Sequence, residues 1–269
     1  MFEQLPVRAD GDVGDVLRRR LGLGATSLDM LSLVNGAAVQ GVHRDFLAAG
    51  AQMLRTNTLA ATRLHLTPLE LADRTEAVNV AACGLAREVA GPEGVVMGTV
   101  GQVPGQHPLA ELEKAYAEQI IYLSDSQVDF LLFSHFTSLA QAQVALRMAV
   151  RASDAPVMAL LTLDEAGCTQ EGTPLAQAAQ ALAQGGAQAL GISCRAGAQP
   201  LAPLLAPLLE LGLPLGVLLG AQGFGPAPLN PSHQTHFAQT LRQLGEMGVA
   251  IVGGCCGIGP EDIGGRGAV

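Results

Sequence analysis

The chain has 269 residues, of which 49% are hydrophobic and 14% are charged, so it can bury a sizeable core and is not a disordered protein. Its formal net charge of -9 argues against a nucleic-acid partner, because such proteins usually present a basic patch. No apolar run approaches the ~20 residues of a membrane span, and the N-terminus does not resemble a signal peptide. Five cysteines, two of them adjacent, favour a thiol or metal role in the cytoplasm over a disulfide scaffold.

Eight short apolar runs predict β-strands. Several of them are apolar on consecutive residues, as in VDFLLF and PLGVLLG, which is typical of parallel strands buried on both faces. The predicted strands cover residues 7–11, 52–58, 94–101, 129–135, 156–163, 189–194, 214–220 and 249–256.

Helical stretches lie between these runs. The best marked one spans 67–91, where Thr67 is a candidate N-cap, Pro68 takes the first helical position and Glu70 follows the cap by three residues. The other predicted helices lie at about 39–50, 109–123, 138–151, 174–184, 201–211 and 232–247.

Eight strand–helix units predict a single (β/α)8 TIM-barrel domain over residues 1–269. The alternative, an open doubly wound sheet, fits less well because no GxGxxG turn follows the first strand. The first βα connection is predicted to be long and partly helical. Only 13 glycine-rich residues follow Cys256, so the final helix is expected to be abbreviated or missing.

Active-site groups of such barrels lie where the strands end. This rule selects polar and sulfur-bearing residues after five of the predicted strands. They are Asp10-Gly11, Thr56-Asn57-Thr58, Ser134-His135, Ser193-Cys194 and Gly254-Cys255-Cys256.

Three of the five cysteines therefore converge from two strand ends. Thiolates of Cys194, Cys255 and Cys256 with a fourth position open predict a catalytic zinc site, at which an exogenous thiol could bind as the thiolate nucleophile. The alternative is that they are small buried residues, as free cysteines often are. Cys83 and Cys168 fall in a helix and a loop, away from these ends.

The segments GAAVQGVHRDFLAAGAQMLRTNTLAA, VDFLLF and IVGGCCGIGPEDI together resemble the homocysteine S-methyltransferase family. The resemblance extends from about residue 7 to residue 263 and implies the same (β/α)8 barrel. It also implies that Cys194, Cys255 and Cys256 bind Zn2+, which activates the homocysteine sulfur for attack on a donor methyl group. No catalytic residue beyond the zinc-activated substrate thiol is implied.

The resemblance implies that the substrate amino acid lies beside Asp10, Gly11, Asn57 and Thr58, with Ser134 and His135 also lining the site. The chain departs from the family pattern at two of its charged positions. Ser134 stands where the family has a Glu that holds the substrate ammonium, and Arg55 stands where an acidic residue often precedes Thr-Asn-Thr. Asp10 remains to bind the ammonium, with Asp12 and Asp15 as substitutes. Because three cysteines and a substrate thiol fill four zinc positions, His135 is predicted to line the site without binding the metal.

The predicted function is zinc-dependent methyl transfer to homocysteine, giving methionine. Two alternatives stay open: a catalytically impaired subunit that binds zinc or a thiol, and a methyltransferase for a different thiol or a selenol. No folate or cobalamin domain is recognised, so the expected methyl donor is a separate protein or a small sulfonium or betaine compound. A homo-oligomer is compatible with the sequence.

Overall fold

Eight parallel strands form one sheet that closes on itself. The computed structural model describes residues 6–24, 27–195 and 201–264, with the side chains of residues 194 and 195 excepted. The sheet order is β1-β8-β7-β6-β5-β4-β3-β2, and a parallel bridge between Ala9 and Met53 joins its two ends. All eight predicted strands and the predicted (β/α)8 barrel are confirmed. The strands are β1 (Val7–Arg8), β2 (Met53–Arg55), β3 (Val95–Gly101), β4 (Phe130–Phe136), β5 (Val157–Leu161), β6 (Ala189–Arg195), β7 (Leu215–Leu219) and β8 (Ile251–Gly254).

Eleven α-helices occur in the described part of the chain. None of these helices has the length and apolar character required to cross a bilayer. They are α1 (Val13–Leu21), α2 (Leu31–Val34), α3 (Gly36–Ala48), α4 (Arg63–Leu66), α5 (Thr75–Ala90), α6 (Leu109–Asp125), α7 (Leu139–Ala152), α8 (Leu175–Gln184), α9 (Leu201–Leu209), α10 (Pro231–Glu246) and α11 (Pro260–Ile263).

The alternation of side chains along β4 shows how the core is divided. Phe130 and Leu132 belong to a buried cluster with side chains from other strands that fills the barrel interior. Leu131 and Phe133 belong to the cluster that the strands share with the helices. Because successive strand residues point to opposite faces, Ser134 continues the interior row toward the mouth of the barrel.

Both expectations about the chain ends are met within the described residues. The first βα connection is long and carries α1 and α2, whereas only the four-residue helix α11 follows β8.

The prediction of a helix that begins at Thr67 is wrong. Thr67 is the C-cap of α4, and its hydroxyl donates to the carbonyl of Arg63. Two short 3-10 helices follow, and α5 begins at Thr75. Glu70 has a φ of 59°, and a left-handed residue at this point ends the first turn instead of continuing it. The local capping signals of Thr67 and Pro68 are real, but they mark only a short turn.

Candidate active site

A cavity of about 590 Å3 lies at the carboxyl ends of the strands. Residues at or just after the ends of β1, β2, β4 and β8 line it, among them Asp12, Asn57, His135 and Cys256. This is the face at which barrel enzymes place their catalytic groups, and the volume is in the range of small-molecule sites.

Sulfur and nitrogen donors meet at the base of this cavity. The Sγ atoms of Cys255 and Cys256 are 3.9 Å apart. A tetrahedral zinc ion with Zn–S bonds of about 2.3 Å holds two sulfurs about 3.8 Å apart, so the cysteine pair fits this ion. His135 contributes a ring nitrogen, and the three ligand atoms all lie within 4.8 Å of one another. Among residues 6–24, 27–195 and 201–264, His135, Cys255 and Cys256 are the one group of three or more metal-binding side chains that lie close enough together to hold an ion.

The other cysteines lie where the sequence places them. Cys194 is in β6, at the same end of the barrel, and its side chain lies outside the described part of the structure. Cys83 is buried in α5, and Cys168 lies in the connection between β5 and α8. Cys255 is disulfide-bonded in this structure, so metal binding by its thiolate requires the reduced protein.

The backbone of β4 directs the His135 ring toward the cysteines. The pairing of β4 with β5 shifts register between Phe133 and Phe136, and His135 within this irregularity has a φ of 62°. Bulges of this kind re-aim a side chain next to active sites. The backbone N–H of His135 donates to the Ser193 hydroxyl at 3.2 Å, and its Nδ1 lies 3.1 Å from the Ser134 hydroxyl. The other ring nitrogen, Nε2, is left facing Cys255 and Cys256.

Burial sets the protonation of the donor cluster. It raises the pKa of the Cys256 thiol to about 11, and the negative charge of Asp12 acts in the same direction. Burial lowers the pKa of His135, and the positive charge of Arg55 adds to this effect. Both shifts favour the uncharged forms of these donors in the metal-free site. A bound cation would favour the Cys256 thiolate.

Asp10 and Arg55 form a buried ion pair at the closure between β1 and β2. The Arg55 side-chain Nε donates to one carboxylate oxygen of Asp10 at 2.7 Å, and its backbone N–H donates to the other at 2.8 Å. The Nη2 group of the guanidinium donates to the carbonyl oxygens of Gly11 and Gly254. The family resemblance implies that the Asp10 carboxylate binds the substrate ammonium. In this structure both oxygens of that carboxylate already accept hydrogen bonds from Arg55.

The remaining predicted substrate residues are buried around the same cavity. Asn57 donates to the carbonyl of Leu28 at 2.8 Å and thereby holds the first βα connection against the barrel. Thr58 donates to the carbonyl of Thr99 at 2.7 Å. A Cβ atom at Gly11 would lie 2.2 Å from the Ile258 carbonyl oxygen, so only glycine fits there. Five of the six predicted substrate residues therefore line one cavity, whereas Asp10 is fully buried against Arg55 and is not part of the lining.

Sequence reasoning missed several polar residues of the cavity wall, among them Asp29 and His65. Asp29 is buried and accepts a hydrogen bond from the backbone N–H of Ala60, and burial raises its pKa to about 6. Its only sequence signal is a lone acid in the apolar stretch SLDMLSLV. His65 lies in α4 and contacts the Thr62 hydroxyl and the Gln102 carbonyl oxygen.

A family model described as homocysteine S-methyltransferase matches residues 8–265. The chain belongs to the homocysteine S-methyltransferase family. It is accordingly a methyltransferase, and the resemblance drawn from the GGCCG and TNT segments is confirmed.

Curated members of the homocysteine S-methyltransferase family are similar over most of this chain. Mouse S-methylmethionine–homocysteine S-methyltransferase BHMT2 is 29% identical over 252 residues, covering 84% of this chain and 68% of the relative. Mouse betaine–homocysteine S-methyltransferase 1 is 30% identical, and the match covers 62% of its length. Methionine synthase of Mycobacterium tuberculosis is 27% identical, and the match covers 22% of it.

A solved structure shows the same barrel. The homocysteine methyltransferase MmuM from Escherichia coli, in its metallated form, superposes with a TM-score of 0.81 at 24% identity. The match covers 97% of this chain and 95% of MmuM. The family fold is therefore retained almost end to end.

Proposed function

We propose that this protein transfers a methyl group to the thiol of homocysteine, giving methionine, with Zn2+ held by Cys194, Cys255 and Cys256. The observation that carries the proposal is the pair of Sγ atoms of Cys255 and Cys256, which lie 3.9 Å apart in the lining of a cavity of about 590 Å3. Relatives whose names specify homocysteine as the methyl acceptor support the choice of substrate.

Each part of the site has a distinct task in this reaction. When bound, the zinc lowers the pKa of the acceptor thiol and favours its thiolate. The cavity walls hold the acceptor sulfur next to the incoming methyl group, which converts an encounter in solution into an oriented one. A bond forms between the acceptor sulfur and the methyl carbon. The bond from that carbon to the donor breaks, and its electron pair stays on the donor.

The methyl donor is proposed to be a small onium compound. The names of two relatives specify S-methylmethionine and betaine, which carry the methyl group on a cationic sulfur and a cationic nitrogen, respectively. A neutral leaving group forms when such a methyl is lost. The cavity, at about 590 Å3, is of a size typical for small-molecule sites.

Asp12 is the carboxylate best placed to hold the acceptor ammonium. It lines the cavity, and no ion pair engages it within the described ranges. Its Oδ2 accepts a hydrogen bond from the backbone N–H of Gly257, directly after Cys256, and its charge influences both Cys256 and His135. Asp15 is less suitable because it already pairs with Arg18 and Arg19. We propose that Asp12 replaces Asp10 in this role.

Replacing Asp12 with asparagine is expected to raise the KM for homocysteine about 10-fold or more, which corresponds to about 1.4 kcal/mol, with a smaller effect on kcat. Asparagine is as good an N-cap as aspartate, so the hydrogen bond from the Asp15 N–H that begins α1 is kept while the charge is lost. Steady-state kinetics with varied homocysteine test this. Asp15→Asn is the matched control, and an equal KM in all three proteins would contradict the role of Asp12.

A second candidate is methyl transfer to a thiol that lacks an ammonium group. Two observations favour it. Ser134 carries no charge that could bind an ammonium group, and both oxygens of the Asp10 carboxylate already accept hydrogen bonds from Arg55. Binding assays with 2-mercaptoethanesulfonate, 3-mercaptopropionate and homocysteine distinguish the two candidates. Tighter binding of either ammonium-free thiol would favour the second.

The decisive experiment combines metal analysis with methyl transfer. Protein purified anaerobically under reducing conditions is expected to contain one zinc ion per chain, and homocysteine is expected to add a sulfur ligand at the zinc absorption edge. S-methylmethionine or betaine with a 13C-labelled methyl group should then yield labelled methionine. Zinc with no response to any thiol would favour a binding subunit. Reduced protein without zinc, after reconstitution is attempted, would contradict the proposal.

A further inference from the structure

Asp29 places a carboxylate in the cavity wall without a cation beside it. The residue is 6% exposed, and its Oδ1 accepts a hydrogen bond from the backbone N–H of Ala60 at 3.0 Å. In the part of the chain that the structure describes, no arginine, lysine or histidine forms an ion pair with Asp29. An amide oxygen would hold Ala60 equally well. This hydrogen bond therefore does not explain a buried carboxylate, which is costly without a cationic partner.

The basic side chains that line the same cavity are engaged elsewhere or favour their neutral form. Arg18 forms an ion pair with Asp15 at 3.3 Å. Arg55 forms its ion pair with Asp10 at 2.7 Å. Both histidines of the lining are largely buried, and burial lowers the pKa of each ring, which favours the neutral imidazole. A positive charge beside Asp29 is therefore left to a ligand.

Asp29 and Asp12 belong to different parts of the cavity. The negative charge of Asp12 acts on Cys256 and His135, whereas Asp29 is not among the described charges that shift the pKa of either group. Asp29 is instead bound to Ala60, in the segment that follows β2. An acceptor sulfur held at the cysteine pair meets its methyl donor on the side away from the metal, so a group outside the cysteine cluster is the one that can contact the donor.

The surroundings of this carboxylate suit a cation that donates no hydrogen bonds. Leu28 and Leu59, the chain neighbours of Asp29 and Ala60, also line the cavity. Burial raises the pKa of Asp29 to about 6, and a bound cation would favour its ionised form. A quaternary ammonium or a sulfonium has apolar methyl groups around its charge and needs no hydrogen-bond acceptor. Its attraction to a carboxylate is also stronger where water is excluded.

We propose that Asp29 binds the cationic centre of the methyl donor and makes the protein selective for onium compounds. This inference rests on the proposed methyl transfer from a small onium donor. It assigns the cation of the donor to Asp29 and the ammonium of the acceptor to Asp12. The onium charge disappears as the methyl group leaves, so the attraction to Asp29 is strongest before the reaction. Loss of this charge is expected to raise the KM for the donor with little loss of kcat.

Equilibrium binding of matched ligand pairs tests the role of the charge. Betaine and 3,3-dimethylbutyrate share shape and carboxylate, but only betaine carries the cationic nitrogen. S-methylmethionine and 2-amino-5-methylhexanoate differ in the same way at the sulfur. Titration calorimetry of the reduced protein, with methionine present to fill the acceptor site, measures each affinity without turnover. Asp29→Asn removes the charge and keeps an oxygen for the Ala60 N–H. Asp15→Asn is the matched control, because Arg18 and Arg19 already pair with that carboxylate of the same cavity.

The expected result is a wild-type affinity about 10-fold or more higher for the onium member of at least one pair. That preference should disappear in Asp29→Asn and persist in Asp15→Asn. The affinity for the uncharged-centre member should stay the same in all three proteins, which shows that the cavity is intact. An unchanged preference in Asp29→Asn, or a wild type that prefers neither onium compound, would overturn the role of Asp29.

The same proteins separate this inference from the proposed function. No labelled methionine from a protein that keeps the Asp29-dependent preference would reject methyl transfer to homocysteine and leave the onium site standing. Methyl transfer with an unchanged donor KM in Asp29→Asn would reject the role of Asp29 and leave the proposed function standing.

Discussion

Replacing Cys255 or Cys256 with alanine is expected to remove stoichiometric zinc, with a loss of affinity greater than about 100-fold, because each change removes a thiolate ligand. The Sγ atoms of Cys255 and Cys256 lie 3.9 Å apart, close to the spacing of two sulfurs bound to one zinc ion. Zinc content is measured by elemental analysis of the reduced protein. Homocysteine-dependent methyl transfer is expected to fall with the zinc content.

Cys83→Ala and Cys168→Ala are the matched controls for this experiment. Cys83 is buried in α5, where burial raises its pKa to about 12, and Cys168 lies in the connection between β5 and α8. Both variants should keep one zinc per chain. Equal zinc content in all four variants would show that the metal site does not include the Cys255–Cys256 pair.

Most of the barrel could be predicted because parallel strands buried on both faces leave continuous apolar runs in the sequence. The apolar run PLGVLLG contains β7, in which every residue is buried. The apolar run VDFLLF contains the first residues of β4. The start of α5 could not be found in the same way. Thr67 and Pro68 form a valid helix start, but the left-handed Glu70 ends the turn, and no composition signal marks that conformation.

The candidate site was predictable as far as it depends on strand ends. That rule found Asn57, His135 and Cys256, which line one cavity. It could not show that the His135 ring faces the cysteines, since this depends on a register shift between two strands. Nor could it show that Arg55 forms an ion pair with Asp10. These two residues are 45 positions apart and meet only because β1 and β2 close the barrel.

The ion pair between Asp10 and Arg55 leads to the largest stability effect expected from a single substitution outside the apolar core. Both residues are buried, with side-chain exposures of 0% and 9%. Arg55→Met keeps much of the side-chain length but leaves the carboxylate without a cationic partner. Breaking a buried pair in this way costs about 3–5 kcal/mol of unfolding free energy, because an uncompensated charge stays in the interior. Urea denaturation at about pH 7 measures the loss.

The pH dependence of this loss provides a second test. Burial raises the pKa of Asp10 from its ordinary value of 3.8, and Arg55 opposes that rise. Without Arg55, the pKa of Asp10 in the folded state rises further above its value in the unfolded chain. The folded variant then holds a proton that the unfolded chain releases, so stability falls as the pH increases from about 4 through the folded pKa. The loss of unfolding free energy in Arg55→Met relative to the wild type should accordingly be larger at about pH 7 than at about pH 5.

Two further variants separate the charge effect from the loss of packing. Arg63→Met removes an ion pair with Glu118 in which the arginine side chain is 40% exposed, and it is expected to cost less than about 1 kcal/mol. Asp10→Asn combined with Arg55→Met removes both charges and should recover part of the stability and abolish the excess loss at neutral pH. A pH-independent deficit that the double variant does not reduce would mean that Arg55 stabilises the barrel through packing and its carbonyl contacts, and not through the charge of Asp10.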